Sequence, residues 1–152
     1  MEVKYTSDMW GLLVRRKLRI SDIRQTASEI SPLIEDQIKE EKLQINGPWL
    51  FISYNLPKNG KTFFDWEIFR PVQKPDNYYG KIELCHLLPI KVASIDYRGT
   101  LRSLFTKGYM PFVAAIEASH HNFSGESREV YHFWDTDTSM QNHIEIQFGL
   151  SE

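Results

Sequence analysis

The hydrophobic pattern in the first half of the chain predicts one helix among three strands. Apolar runs bounded by turn residues predict strands at residues 9–19, 49–54 and 62–72. After the first of these strands, apolar side chains recur at helical spacing at Ile23, Ala27, Ile30, Ile34 and Ile38. Ser21 is a candidate N-cap for this helix. Because proline is tolerated at the first turn of a helix, Pro32 predicts a short lead-in followed by a longer part ending near residue 42.

The second half of the chain repeats this order of elements. Strands are predicted at residues 81–88, 91–97, 128–134 and 143–150, with a helical region from 100 to 116. Pro111 follows Pro32 by 79 residues, and Gly125 follows Gly47 by 78 residues. Two halves that match at a nearly constant offset indicate a tandem duplication.

The duplication predicts an α+β fold in which residues 1–152 form a single domain. Its unit is a strand–helix–strand–strand sequence. The first copy covers about residues 1–72, residues 73–80 link the copies, and the second covers about residues 81–152. One such unit leaves a hydrophobic sheet face uncovered, so two units are expected to share a core. We therefore expect an antiparallel sheet with both helices on one face.

Composition and charge exclude several classes of protein. The net charge is −2, whereas nucleic-acid binders normally carry a basic face, so direct nucleic-acid binding is not expected. The single cysteine, Cys85, excludes an internal disulfide and is typical of an intracellular protein. No apolar run approaches the length of about 18 residues that a membrane span needs, and no export signal follows Met1. A cytoplasmic location without membrane contact is expected.

Motifs for cofactors and metals are missing from the chain. It has no Gly-rich phosphate loop, no nucleophile elbow and no zinc-type spacing of cysteine and histidine, so we expect no cofactor and no metal. His120 and His121 fall at a predicted helix end, where they are interpreted as part of the cap. Nothing in the sequence brings His132 and His143 together.

The penultimate predicted strand contains the most informative pattern of side chains. Period-two alternation puts Glu129, Tyr131 and Phe133 on one face. A carboxylate among aromatic rings suits a bulky organic cation, through charge and cation–π attraction. The alternative is an exposed acid paired with Arg128 or Arg98, since acidic residues are mostly solvated.

Aromatic residues of the first repeat are candidates for the same site, or for the core that aromatic rings commonly fill. These candidates are Trp49, Phe51 and Trp66. At the 78-residue offset, Phe51 matches Glu129. Symmetric strands would therefore bring an apolar residue and a charged residue to one site.

Five segments together resemble the GyrI-like small-molecule-binding domains, which also occur as effector-binding domains of AraC-type and MerR-type multidrug-responsive regulators. The segments are Gly47-Pro48-Trp49-Leu50-Phe51-Ile52-Ser53-Tyr54, Asp65-Trp66-Glu67-Ile68-Phe69-Arg70-Pro71-Val72, Leu88-Pro89-Ile90-Lys91-Val92-Ala93 through Tyr97-Arg98-Gly99, Arg128-Glu129-Val130-Tyr131, and Ile144-Glu145-Ile146-Gln147-Phe148. Each motif is loose by itself, but their order covers nearly the whole chain.

The resemblance implies a cleft near the pseudo-twofold axis that binds a small molecule, in particular a lipophilic cation. In multidrug-binding relatives an acidic residue early in the penultimate strand faces the drug, and the matching residue here is Glu129, with Tyr131 beside it. Leu104 and Trp49 match further ligand contacts, although some relatives have an aromatic residue in place of Leu104. No residues remain for a DNA-binding helix-turn-helix, so the chain resembles the stand-alone form of the family.

Three functions follow as expectations. The first is binding of an amphipathic, cationic or aromatic compound without catalysis. The second is hydrolysis of strained electrophilic natural products, in which Glu129 with Tyr131 or Tyr97 would supply acid–base chemistry. The third is a protein partnership, because a stand-alone relative is associated with inhibition of DNA gyrase. The binding function is favoured by Glu129 among aromatic residues together with the resemblance.

Overall fold

The computed structural model describes all 152 residues and consists of one eight-stranded antiparallel sheet with helices on one face. The strands are β1 Glu2–Tyr5, β2 Met9–Leu18, β3 Leu50–Tyr54, β4 Phe64–Val72, β5 Glu83–Leu87, β6 Lys91–Arg98, β7 Phe123–Phe133 and β8 His143–Leu150. Helix α1 spans Ile23–Glu40, and helix α2 spans Met110–Glu117 after a π-helical segment at Leu104–Tyr109. These elements confirm the predicted α+β class.

The strand order shows how the two repeats join. It runs β1-β6-β8-β7-β3-β4-β2-β5, so the triplets β6-β8-β7 and β3-β4-β2 meet at the β7–β3 pair. The first strand of each repeat crosses to the other, because β1 pairs with β6 and β5 pairs with β2. The predicted unit lacked β1, so the full unit has one more strand than the pattern indicated.

Each helix covers one half of the sheet. Ile30, Ile34 and Ile38 of α1 pack in a cluster with residues of β2 and β4. Phe112 and Ile116 of α2 pack in a second cluster with residues of β6 and β8. Burying such side chains fully contributes about 1.5–3 kcal/mol each. The two clusters lie on the same face, as predicted, and leave the centre of the sheet between them.

Helix α1 is continuous, so the predicted break at Pro32 is wrong. Pro32 lies inside the helix and is exposed. Proline removes the hydrogen bond to the carbonyl four residues earlier, which belongs to Ser28. Ser28 is also exposed, so solvent can bind that carbonyl and the helix tolerates the loss. Pro111, its counterpart, stands in the first turn of α2, where proline costs little.

None of the helices combines the length and the apolar character that a membrane crossing requires.

Candidate functional site

A row of paired residues crosses the centre of the sheet on the face that carries the helices. Cross-strand partners share a face, and successive pairs give the row Val14, Ile68, Phe51, Glu129, Ile146 and Ile95. Glu129 is the single charged member of this row. It pairs directly with Phe51, its counterpart in the first repeat, so the pseudo-twofold axis passes through that pair. The predicted meeting of these two residues is confirmed.

Two tyrosines hold the Glu129 carboxylate. The Tyr131 hydroxyl donates to Glu129 Oε1 at 2.6 Å, and the Tyr109 hydroxyl donates to Oε2. Tyr131 lies two residues along the same strand, whereas Tyr109 is the last residue of the π-helical segment. That segment approaches the sheet closely at Gly108, where a Cβ would lie 3.2 Å from Ile146 Cδ1. The glycine therefore lets the helix bring Tyr109 to the carboxylate.

The surroundings of Glu129 perturb the ionisation of the carboxyl and of both tyrosines. Burial raises the pKa of the Glu129 carboxyl, and the hydrogen bonds from Tyr109 and Tyr131 offset only part of that rise. Burial, together with the adjacent charge of Glu129, also raises the pKa of both tyrosines well above the ordinary value, so they remain donors. Glu129 forms no ion pair with a side chain of the protein.

The structure does not contain the alternative, in which Glu129 would form an ion pair with Arg128 or Arg98 at the surface. Arg128 faces away from Glu129 and bonds to Glu126, with Nε 2.7 Å from Oε2. Arg98 is exposed and makes no ion pair with Glu129. Glu129 itself is only partly exposed.

Aromatic rings line one side of the carboxylate. The Phe51 ring lies 4.7 Å from the Tyr131 ring and 5.1 Å from the Trp66 ring, measured between centroids. The Trp49 carbonyl accepts the backbone N–H of Tyr131 at 3.0 Å, and the Arg70 guanidinium lies 4.9 Å above the Trp49 ring. Phe51 and Tyr131 thus stand next to the carboxylate, and Trp49 lies two residues before Phe51 in the chain, beside Tyr131.

The other candidate residues occupy three different settings. Trp66 is 1 % exposed and belongs to the core under α1, so it supports Phe51 from below. Leu104 is half-buried and packs against the core under α2. Tyr97 is 6 % exposed in that same core, and its hydroxyl donates to the carbonyl of Thr100 rather than to Glu129.

Phe133 does not share the face of Glu129 and Tyr131, so the predicted alternation fails at this residue. Tyr131 pairs with Ile144, but Phe133 pairs with His143, and a β-bulge lies between the two pairs. The extra residue of a bulge changes the direction in which the following side chains point. Phe133 is 48 % exposed at the end of the strand.

A cavity of about 480 Å³ opens beside the carboxylate, between α2 and the loop after β3. Tyr109 lines this cavity and also donates to Glu129, so its side chain separates the two. Phe105, Met110 and Phe123 are exposed apolar residues along its wall. None of the ligand-binding residues predicted from sequence lines it. A more polar depression of about 500 Å³ lies near Tyr5 and includes neither Glu129 nor its two tyrosines.

Sequence reasoning missed Tyr109 as a member of this site. Tyr109 lies five residues after Leu104, and that spacing brings two side chains to one face in a π-helix but not in an α-helix. The resemblance matched Leu104 with a ligand contact of the relatives. That match identified the helical segment in which Tyr109 lies, but it did not identify Tyr109 itself.

Comparison with known proteins shows similarity of fold. No family model and no curated protein sequence matches this chain. EcmrR in complex with DNA is similar over 99 % of this chain and 57 % of its own, with a TM-score of 0.80 and 19 % identity. The isolated EcmrR C-terminal domain is similar over 99 % of this chain and 96 % of its own, with a TM-score of 0.76 and 17 % identity.

Two further solved structures have the same architecture. SAV2435 bound to tetraphenylphosphonium gives a TM-score of 0.71 at 12 % identity over 99 % of this chain and 93 % of its own. A hydrolase from Listeria innocua gives 0.63 at 12 % identity over 99 % of this chain and 91 % of its own. At such low identities these likenesses establish the fold alone, and this chain spans little more than half of the EcmrR chain in the DNA complex.

Proposed function

We propose that this protein binds a small lipophilic cation, with Glu129 as the countercharge. The supporting observation is a half-buried carboxylate without an ion pair, which lies on the pseudo-twofold axis opposite Phe51 and is bonded by two tyrosines. A carboxylate withdrawn from water is normally paired, because burying an isolated charge is costly. A bound organic cation would pair with the carboxylate and contact the ring faces as well.

The ligand would occupy the cavity beside α2 and reach the carboxylate at Tyr109. A volume of about 480 Å³ falls in the range of small-molecule pockets. The cation would replace the hydrogen bond from Tyr109 while Tyr131 keeps its own. A hydrogen bond to a charged group contributes about 1.5–3 kcal/mol, so the cation must exceed that amount in charge and ring contacts. The fold shared with SAV2435, which was solved with tetraphenylphosphonium, agrees with this proposal.

Titration with tetraphenylphosphonium, followed by calorimetry, tests the proposal. Glu129→Gln keeps the shape of the side chain and should weaken binding by at least about tenfold, since losing 1.4 kcal/mol corresponds to a factor of ten. Affinity in the wild type should rise with pH as Glu129 ionises, and the glutamine variant should lose that dependence. The control variant is Glu29→Gln, an exposed carboxylate on α1. Triphenylphosphine oxide serves as the neutral ligand, and it should bind both proteins equally.

Equal affinity of wild type and Glu129→Gln for the cation, with equal pH dependence, would contradict the proposal.

Hydrolysis is a second candidate, favoured by Glu129 with two tyrosine donors and by the likeness to a hydrolase of known structure. The residues differ from those expected, because Tyr109 rather than Tyr97 reaches the carboxylate. Mass spectrometry after incubation with an epoxide would detect turnover, whereas binding without product would exclude hydrolysis.

A partnership with DNA gyrase and a cytoplasmic location remain predictions.

A further inference from the structure

Three strands bring Asp96, His132 and His143 together on the face opposite the helices. One potential ligand atom of each residue lies within 4.8 Å of the others. His143 Nε2 is 2.8 Å from Asp96 Oδ1, and the His132 and His143 rings are stacked with centroids 4.7 Å apart. The cluster therefore combines two imidazoles and a carboxylate at the end of the sheet.

The bulge in β7 explains why the two imidazoles meet. It places one extra residue, His132, between the pairs Tyr131–Ile144 and Phe133–His143. The loop that follows is held by Asn142, whose side chain is fully buried and bonds to three backbone groups of the loop. Because this loop is held, the strand ends that carry both histidines are fixed relative to each other.

A network of hydrogen bonds orients the His132 ring. Glu145 Oε1 lies 3.0 Å from His132 Nε2, and Lys4, Ser94 and Gln147 each bond the other oxygen of that carboxylate at 2.8 Å. A carboxylate behind a histidine is the usual support of metal-ligating imidazoles, because it fixes the ring and raises its basicity. With Nε2 held in this way, Nδ1 is the nitrogen of His132 that can bind a metal.

We propose that Asp96, His132 and His143 form a binding site for a divalent transition-metal ion such as Zn²⁺, with water completing the coordination. Nitrogen and oxygen ligands bind Zn²⁺ at about 2.1 Å, so two of them at a tetrahedral centre lie about 3.4 Å apart. The separations in this cluster, which are at most 4.8 Å, must therefore shorten by up to about 1.4 Å, and the 2.8 Å contact between His143 and Asp96 must open. Asp96 is exposed, so rotation of its side chain can supply part of that movement, and small shifts of the two rings supply the rest. Imidazole ligands favour zinc, copper and nickel over magnesium and calcium.

Sequence spacing could not reveal this site. The ligands come from β6, from the bulge of β7 and from the first residue of β8. The expectation of no metal rested on the lack of a local Cys/His motif. The site lies on the opposite face of β7 from Glu129, so its test is independent of the proposed ligand cleft.

Calorimetric titration of the untagged protein with Zn²⁺ tests the site. Wild type should bind one equivalent, and Asp96→Asn, His132→Ala and His143→Ala should each weaken binding by at least about tenfold, as expected for loss of one ligand. The matched control is the double variant His120→Ala/His121→Ala, which removes another pair of neighbouring imidazoles, 4.3 Å apart. This control should bind as wild type does.

A second readout identifies the ligands independently of affinity. Co²⁺ substituted for Zn²⁺ should give a visible absorption band in wild type that changes in Asp96→Asn, which alters an exposed side chain and leaves folding intact. No stoichiometric Zn²⁺ binding, binding that survives all three ligand variants, or binding that only the His120/His121 control removes would each overturn the proposal.

Discussion

Replacing Glu129 with glutamine should stabilise the ligand-free protein near neutral pH, although it removes the proposed countercharge. The carboxylate has no ion pair, and burial raises its pKa despite the bonds from Tyr109 and Tyr131. Folding therefore shifts the proton equilibrium of Glu129 toward the acid, relative to the unfolded chain. Glutamine has the same shape. Its carbonyl accepts from one tyrosine while its amide donates to the oxygen of the other, because a phenol both donates and accepts.

The size of the effect follows from proton linkage. Each unit by which folding raises the pKa of Glu129 costs the wild type about 1.4 kcal/mol once the pH exceeds the raised value. Below the ordinary glutamate pKa the acid is protonated in both states, and the cost disappears. Between the two values the folded state binds more protons than the unfolded state, so wild-type stability falls as the pH rises. We expect the variant to be the more stable protein at neutral pH, by about 1.4 kcal/mol for each pKa unit of that rise, and the two proteins to be nearly equal near pH 4.

Urea denaturation of both proteins between about pH 4 and pH 8 measures this difference directly. The control Glu29→Gln changes an exposed carboxylate on α1 and should shift the free energy of unfolding by no more than about 0.5 kcal/mol at any pH. A Glu129→Gln protein that is less stable than wild type at neutral pH, with a deficit that grows with pH, would refute this prediction. That result would mean that the two tyrosine bonds outweigh the cost of burial.

Two further substitutions test how the fold supports the sites. Asn142→Ala removes three hydrogen bonds and should lower the free energy of unfolding by about 3 kcal/mol, at about 1 kcal/mol for each bond. A loss of less than about 0.5 kcal/mol in urea denaturation would contradict this prediction. Gly11→Ala should cost about 3 kcal/mol by overpacking, because its Cβ would lie 2.4 Å from the carbonyl oxygen of Arg70. Gly60→Ala is the matched control with nothing within 4 Å, and equal thermal melting of the two glycine variants would argue against the packing explanation.

Local patterns in the sequence were sufficient to predict helices and strands of the fold and part of the candidate site. Helical spacing from Ile23 to Ile38 identified α1, and the run from 143 to 150 identified β8 with its observed bounds. The 78-residue offset between Phe51 and Glu129 even anticipated a contact between strands, because a twofold axis brings equivalent residues together. A duplicated sequence thus contains long-range information that a single repeat lacks.

The same patterns failed where an element departs from its regular period. Alternation placed Phe133 beside Tyr131, but the bulge between them breaks the period of two. Helical spacing could not identify Tyr109, because the π-helical turn that aims it at Glu129 has a different period. Pro32 suggested a break that the exposed face of α1 accommodates. Each failure has a local cause that depends on packing against the rest of the fold.

The sequence by itself determined the class of fold, the duplication and the acid at the centre, because these depend on periodicity and on matching positions along the chain. Only the tertiary structure decided which groups surround that acid, since Tyr109 reaches it from a helix while Tyr97 turns to a backbone carbonyl. It also decided the exchange of β1 and β5 between the repeats. These outcomes depend on register and on contacts between distant segments, and such contacts form only when the whole sheet is assembled.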